Sequence, residues 1–247
     1  TVTMVVGADT PHPERTVVSF VLTGSRLITV RYAEPVPFST FVRRLARHRG
    51  LCTDAQGVFV ALLDSVVDRL ADVLENIGDV LDTVSAEAFA NVKASEKPDY
   101  NALLTRIGRA GDLLSRVQES LVSLNRTAAF ARQLDMVRDH KGAASAIKTL
   151  TNDLASLSEH AMFLDNKVNF LLNATLGKIN IAQNNTIKIL SVVAVIFLPP
   201  TLIASIYGMN FAHMPELGWP FGYPLALIGM LIAAILPYMF FKYRGWL

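Results

Sequence analysis

"IYGMNFAHMPELGWPFGYP", residues 206–224, connects the two long apolar runs of this chain. The runs cover residues 189–206 and 222–241, and each comes close to the ~20 residues that a helix needs to cross ~30 Å of hydrocarbon. From Ile189 to Phe241 the only Asp, Glu, Lys or Arg is Glu216. Helices in a soluble core rarely stay uncharged around their whole circumference for so long. We therefore predict two membrane-spanning helices rather than two buried ones.

The basic residues around these runs predict their orientation. Lys178 and Lys188 precede the first run, Lys242 and Arg244 follow the second, and the connector contains neither Lys nor Arg. Basic residues favour the cytoplasmic side of short membrane loops. Both termini are therefore expected in the cytoplasm, with the loop facing outward.

The composition bounds the remaining possibilities. The 247 residues are 51% hydrophobic, and their formal net charge of +2 gives no reason to expect a nucleic-acid partner. The single cysteine, Cys52, excludes an internal disulfide and fits a reducing compartment. The first apolar run comes too late for a signal peptide. Because the sequence opens with Thr, we expect a preceding segment to be missing.

The region before the membrane begins with strands and continues as helices. Residues 1–37 are β-rich, with a hairpin predicted around Thr23-Gly24-Ser25. A basic helix with Arg43, Arg44, Arg47 and Arg49 follows, either as a solvated face or in contact with lipid. An apolar period of three or four predicts a long helix over about 54–92. Its acidic face is either solvated or a site for divalent cations between subunits; the residues are Asp64, Asp68, Asp72, Glu75, Asp79 and Asp82.

Two further helices complete this region. Lys97-Pro98-Asp99 should end the preceding helix, and Asp99 should cap the next one, which is predicted to run from Tyr100 to about Val137. From Ala143 to Leu198 there is no Pro and only one Gly, at position 177. This pattern predicts a continuous helix of roughly sixty residues that enters the membrane and bundles with copies of itself. Pro199-Pro200 should kink or locally unwind it.

A polar stripe follows this helix into the membrane at the seven-residue period of bundled helices. Polar groups at membrane depth usually face protein or water, although small and hydroxyl residues also serve helix packing. The Asn series that continues below the membrane favours a lining role, with Ile187 and Leu198 as dewetting constrictions. One hairpin cannot enclose a pore, so several copies must surround an axis. The first row of the stripe is Asn166, Asn173, Asn180, Ile187, Ala194, Thr201 and Gly208. The neighbouring row is Asn169, Leu176 and Gln183, and it continues with Asn184, Ser191, Leu198 and Ser205.

The outer end of the stripe carries Tyr207-Gly208-Met209-Asn210. Gly208 permits positive φ and close backbone approach at the helix end. Asn210 adds a side-chain oxygen beside the helix carbonyls, which lie at the negative end of the macrodipole. Magnesium prefers oxygen ligands and gives up its water reluctantly. A ring of such uncharged oxygens would suit recognition of a hydrated Mg²⁺ at Asn210 and Gly208, and Glu216 would add a negative ring at the mouth.

The sequence resembles the CorA family of magnesium channels. The resemblance rests on YGMN followed by MPEL and on KYRGWL at 242–247. Residues 180–224 also resemble the family almost throughout. VVSFVLTGSRLITVRYAEPVPF at 17–38 and LLDSVVDRLADVLENI at 62–77 are similar to the cytoplasmic domain of its proteobacterial branch.

The resemblance implies an α+β membrane protein that assembles as a funnel-shaped homopentamer in the bacterial inner membrane. Such a protein passes Mg²⁺, and often Co²⁺ or Ni²⁺, inward without ATP, a chemical step or a bound cofactor, and cytoplasmic Mg²⁺ regulates it. Gly208, Met209 and Asn210 would form the outer filter and Tyr207 would support it. Asn184, Ile187, Leu190, Leu198 and Thr201 fall at pore-lining positions.

The corresponding organisation has six parts. They are a partial cytoplasmic αβ domain at 1–95, cytoplasmic helices and stalk at 96–188, a pore-lining span at 189–207, an outer loop at 208–221, a lipid-facing span at 222–241 and a basic cytoplasmic tail at 242–247. Two alternatives stay open. One is a zinc transporter of the related ZntB branch, although the stripe lacks the Cys and His that zinc favours. The other is a membrane-anchored helical scaffold without transport. No nucleophile–base pair, phosphate loop or metal-ligand cluster indicates an enzyme.

Overall fold

The computed structural model is mostly helical with one small sheet. It describes residues 1–47, 54–90, 99–210 and 214–245, and the side chains of Glu216 and Leu217 are also outside the description. Arg49, Cys52, the Lys97-Pro98 break and His213 lie outside the described residues. The chain divides into two compact units, Thr1–Thr175 and Leu176–Leu247. The six-part organisation inferred from the sequence stays a prediction.

The sheet of the first unit has three antiparallel strands in the order β1-β2-β3. These are β1 Val2–Val6, β2 Glu14–Leu22 and β3 Leu27–Arg31. The hairpin predicted at Thr23-Gly24-Ser25 is confirmed, because Leu22 pairs with Leu27 and the Thr23 amide donates to the Arg26 carbonyl over 2.9 Å. The pattern did not single out β1 as a separate strand. Gly7, with φ of 66°, begins the turn that leads from β1 towards β2.

Helix α1, Val36–Arg47, follows the sheet and packs through an aromatic cluster. Phe20 of β2 stacks on Phe38 of α1 with ring centroids 6.4 Å apart and meets Phe59 edge-on at 5.7 Å. Such aromatic pairs stabilise a core beyond their buried area. The cluster joins α1 to the inner face of the sheet and leaves the arginines of α1 exposed.

Three long helices form the rest of the first unit: α2 Ala55–Phe89, α3 Tyr100–Gln133 and the beginning of α5, with the short α4, Asp135–Arg138, between α3 and α5. The Asp54 carboxylate caps α2 by accepting from the Gly57 amide over 2.7 Å. Asp99 caps α3 as predicted, accepting from the amides of Asn101 and Ala102. The expected single helix to Val137 is interrupted at Leu134, whose extended backbone ends α3.

The core between these helices consists of Leu, Ile and Val at helical spacing. Leu74 and Leu81 of α2, Leu114 of α3 and Leu154 of α5 are fully buried. Since each buried aliphatic side chain contributes roughly 1.5–3 kcal/mol, this apolar face holds the unit together.

Helix α5 runs from Lys141 to Tyr207, and α6 runs from Gly222 to Tyr243. The predicted continuous helix over 143–198 is confirmed and is longer at both ends. Of the two effects expected at Pro199-Pro200, local unwinding is absent, since the helix continues through both prolines, and a kink stays a prediction. The rings remove two amide donors, so the carbonyls of Val195 and Ile196 lose their usual partners four residues on.

Candidate functional site

The second unit, Leu176–Leu247, consists mainly of apolar helix surface. The most apolar windows of α5 and α6 have mean hydropathies of 2.4 and 2.1, yet only 6% and 0% of these windows are buried. A core helix of a soluble protein would be mostly covered. Both helices are long and apolar enough to cross a membrane, as the sequence predicts.

Each span has one stripe of less exposed residues. On α5 the stripe is centred on Val192, which is 2% exposed. These stripes are the least exposed surfaces of the two spans within the second unit. The half-buried members are Lys188, Ile196, Pro199, Pro200 and Ile203 on α5, and Ala226, Gly229, Met230, Ala233, Ala234, Pro237 and Phe241 on α6.

The lining residues predicted from the sequence occupy another side of α5. Thr201 follows Val192 by nine residues, which is about 180° of rotation at about 100° per residue. Ala194 and Ile187 lie within about 40° of that direction, whereas Asn184 lies about 80° from Val192 and marks the edge of the stripe. All predicted lining residues are exposed in the protomer: Asn173, Asn180, Asn184, Ile187, Leu190, Ser191, Ala194, Leu198, Thr201 and Ser205.

The hydroxyl of Thr201 is oriented by the helix itself. Its Oγ1 donates to the Phe197 carbonyl over 2.7 Å. Because the proton is used in this bond, the oxygen lone pairs of Thr201 remain available as acceptors. The water shell of a metal cation presents donors, so the hydroxyl has the polarity that such a shell requires.

The outer end of α5 is closed by a tight turn. The Gly208 amide donates to the Ala204 carbonyl over 2.9 Å, and the Met209 amide donates to the Ile206 carbonyl over 3.3 Å. The turn does not use the positive φ that a glycine at position 208 permits, since among the described residues only Gly7 and Gly245 have positive φ. The close approach is present instead: a Cβ at Gly208 would lie 3.1 Å from the Ala204 carbonyl oxygen.

The remaining residues of the predicted filter are exposed. Tyr207 ends α5, and Met209 and Asn210 follow it in the turn. The Asn210 carboxamide makes no side-chain hydrogen bond to any other residue in the described part of the chain. Glu216 belongs to the short helix Pro215–Gly218. The predicted filter thus combines uncharged oxygens at the end of α5 with one carboxylate in the loop that follows.

The acidic face of α2 lies in the first unit and is only partly neutralised. Asp82 accepts from Lys167 over 2.8 Å. The pKa of Asp68 is raised, chiefly by partial burial and then by the negative charge of Asp64, while Arg44 opposes the shift. Among the described residues no group of three or more His, Cys, Asp or Glu side chains could hold a metal ion. A regulatory cation between subunits stays a prediction.

The face around Val192 was not singled out from the sequence. Its i, i+4 spacing is present, but the neighbouring exposed positions are equally apolar. Hydropathy alone therefore cannot distinguish the covered side of α5 from its exposed side.

Comparisons with known proteins agree with this architecture. The family model described as "CorA-like Mg2+ transporter protein" matches residues 2–243. The chain is 36% identical over 239 residues to the magnesium transport protein CorA of Haemophilus ducreyi, covering 97% of this chain and 74% of the relative. It is also 36% identical over 236 residues to the magnesium transport protein CorA of Escherichia coli K12, covering 96% of this chain and 73% of the relative.

Two solved structures share the fold. The complete structure of the CorA magnesium transporter from Methanocaldococcus jannaschii matches with a TM-score of 0.72 at 17% identity, over 100% of this chain and 80% of that chain. The structure of full-length CmaX matches with a TM-score of 0.73 at 18% identity, over 99% of this chain and 73% of that chain. At these identities the likeness concerns the fold alone.

The matching family model and the 36%-identical relatives place the chain among membrane proteins of the metal-ion transporter class. The prediction that the chain is not an enzyme agrees with relatives named as transport proteins. More particularly, the chain belongs to the CorA-like Mg²⁺ transporter family. The relatives are named for magnesium, which does not favour the zinc-transporting alternative.

Proposed function

We propose that five copies of this chain form a ring in which the first span of each copy surrounds a shared path for Mg²⁺. One observation carries this proposal: Ile187, Ala194 and Thr201 of the polar stripe lie within about 40° of the direction opposite Val192. If the Val192 side packs on α6, the Thr201 side is left for the axis. Membrane lipid would then contact α6 outside the ring.

The lining supports recognition of a hydrated ion. It offers carboxamide and hydroxyl oxygens and carries no full charge. The residues are Asn180, Ser191, Thr201 and Ser205. Mg²⁺ is dehydrated reluctantly, so acceptors that bind its water shell select it without removing that shell. Co²⁺ and Ni²⁺ are further candidates, because they also carry a shell of water.

The outer turn is the proposed selectivity filter. Gly208 keeps the backbone close to the end of α5, and Asn210 adds one carboxamide per copy, so a ring would collect five at one level. Met209 completes the filter, Tyr207 supports it and Glu216 concentrates cations at the mouth. Ile187 and Leu198 would close the path by dewetting.

The membrane potential supplies the driving force for influx. Moving one elementary charge across 100 mV is worth about 2.3 kcal/mol, so a dication gains about twice that amount. No ATP, cofactor or chemical step is required. We place the protein in the bacterial inner membrane with both termini in the cytoplasm, as the basic residues flanking the spans indicate. Cytoplasmic Mg²⁺ is the proposed regulator.

The filter is tested by Mg²⁺ uptake into liposomes under an imposed negative potential. Asn210→Ala should lower uptake about tenfold or more, since the loss of ~1.4 kcal/mol of recognition changes an equilibrium constant tenfold. Asn76→Ala, an exposed asparagine on α2, is the matched control and should leave uptake unchanged. Equal uptake by the parent chain and Asn210→Ala would remove the filter assignment. No uptake by either would favour the scaffold.

A further inference from the structure

Helix α1 carries a strongly basic surface, here called the basic patch: Thr40, Arg43, Arg44 and Arg47. These residues line a shallow depression of about 390 Å³. No Asp or Glu occurs from Pro35 to Thr53. Among the described residues none of the three arginines makes an ion pair within 4.0 Å, and Arg43 Nη2 donates only to Thr40 Oγ1, over 3.3 Å. The guanidinium charge of the patch is therefore not balanced by direct contacts with the residues that the structure describes.

Helix α2 carries the opposite surface, here called the acidic stripe: Asp68, Asp72, Glu75 and Asp79. The spacing of four, three and four residues places all four side chains on one exposed face. Over the part of the chain that the structure describes, Asp72, Glu75 and Asp79 have no ion pair, in contrast to Asp82, which is bound by Lys167. Partial burial raises the pKa of Asp68, and the negative charges of Asp64 and Asp72 add to the shift.

The two surfaces are complementary, but within one protomer they meet only at their margin. Arg44 lies near enough to Asp68 to oppose its pKa shift, whereas Arg43 and Arg47 form no ion pair with any acidic side chain in the described part of the chain. A contact between two different patches of identical subunits is heterologous, and it closes into a ring when the rotation between copies fits.

We propose that the basic patch of one copy docks on the acidic stripe of the next copy around the ring. This inference rests on the proposed function, since it requires the ring, and it names the contact that joins neighbouring copies outside the membrane. Solvent-exposed ion pairs are individually weak, but the contact repeats at every subunit boundary. It should weaken with salt, since at 0.1 M ionic strength charges are screened beyond about 10 Å.

The contact is tested by zero-length carbodiimide cross-linking between two co-expressed forms of the full chain. One form carries R43K/R47K together with D72N/E75Q/D79N, and the other is native at all five positions. Carbodiimide joins amines to carboxylates, so a link between positions 43 or 47 and positions 72, 75 or 79 can arise only between copies. We expect peptide mapping to find this link.

The control replaces R43K/R47K with R109K/R126K in the first form. Arg109 and Arg126 are exposed on α3 and belong to neither surface. The proposal is overturned if links from positions 43 and 47 to the acidic stripe are absent, or if they are no more frequent than those from positions 109 and 126.

Charge reversal provides an independent measurement on the assembled ring in detergent. R43E/R47E and D72R/D79R should each lower the temperature at which the ring dissociates, and the combination of all four changes should restore it. R109E/R126E is the charge-matched control and should not lower it. Lack of restoration by the quadruple variant would contradict direct pairing.

The outcomes separate this inference from the proposed function. A parent chain that forms no ring, or a ring that conducts no Mg²⁺, contradicts the proposed function. A ring that conducts normally but gives no link between patch and stripe contradicts only the docking contact.

Discussion

Thr201 shows how a single residue in an apolar span can present an acceptor. Its hydroxyl proton is held by the Phe197 carbonyl, so the oxygen faces its surroundings with free lone pairs. Gly208 acts differently, because its missing side chain lets the turn close against the Ala204 carbonyl. Neither contribution requires a formal charge, which is costly at membrane depth.

Asp68 permits a prediction outside the membrane. Its raised pKa means that the folded chain holds this proton more tightly than the unfolded chain does. The resulting stability is fully present below the unfolded pKa and is lost as the pH rises through the folded pKa. At neutral pH the charged carboxylate is therefore unfavourable in the folded state.

Asp68→Asn should consequently raise the melting temperature at about pH 7.5, and the advantage should disappear at about pH 4. Thermal unfolding followed by far-ultraviolet circular dichroism at both pH values measures this. Glu14→Gln, on an exposed strand position, is the control. A variant that is less stable than the parent at neutral pH would show that the Asp68 charge is compensated.

At the scale of elements, the first unit depends on the apolar face shared by its long helices. Leu114 is fully buried on α3, while Val122 of the same helix is 61% exposed. Leu114→Ala should lower the free energy of unfolding by about 2–5 kcal/mol, because it leaves a cavity. Val122→Ala should change it by less than about 0.5 kcal/mol. Similar losses in chemical denaturation of the two variants would contradict this assignment of the core.

The transmembrane element carries a second prediction, on two adjacent asparagines. Asn184 belongs to the polar stripe, whereas Asn185 precedes Val192 by seven residues and so lies on the other side of α5. Asn184→Ala should reduce Mg²⁺ uptake more strongly than Asn185→Ala, because only the former removes an acceptor from the path. Liposome uptake of the two variants in parallel measures the difference. Equal effects would mean that the stripe has no special relation to the ion.

Much of this element structure was predictable from the sequence. The hairpin turn, the Asp99 cap and the uninterrupted helix after Ala143 follow from local rules of turns, caps and breakers. The interruption at Leu134 could not be predicted from these rules, because no Gly or Pro marks it. The sequence left open whether Pro199-Pro200 would kink or unwind the helix. The helix continues because helix propensity is weaker than the requirement to retain hydrogen-bonded helix in hydrocarbon.

The candidate site was predictable to a smaller extent. The polar stripe and the filter residues could be named from their period and order along the chain. The hydrogen bond from the Thr201 hydroxyl could not be predicted, because it depends on the side-chain rotamer. The division of α5 into a side around Val192 and a side around Thr201 also required the structure, since both sides contain apolar residues.

At the scale of the whole molecule, charge is separated from the membrane segments. The first unit contains both the basic patch and the acidic stripe, whereas the apolar spans contain uncharged oxygens. This distribution fits a protein whose subunits are joined by paired charges in water and whose path recognises a hydrated ion through neutral acceptors.

The most direct test is thiol modification of the conducting protein in a Cys52→Ser background. Thr201→Cys places a thiol on the stripe, and Ile203→Cys places one on the half-buried side near Val192. A water-soluble, membrane-impermeant thiol reagent should abolish Mg²⁺ uptake by the Thr201→Cys chain and leave the Ile203→Cys chain conducting. If the reagent instead leaves Thr201→Cys unaffected and blocks Ile203→Cys, the Thr201 side does not line the path and the account is wrong.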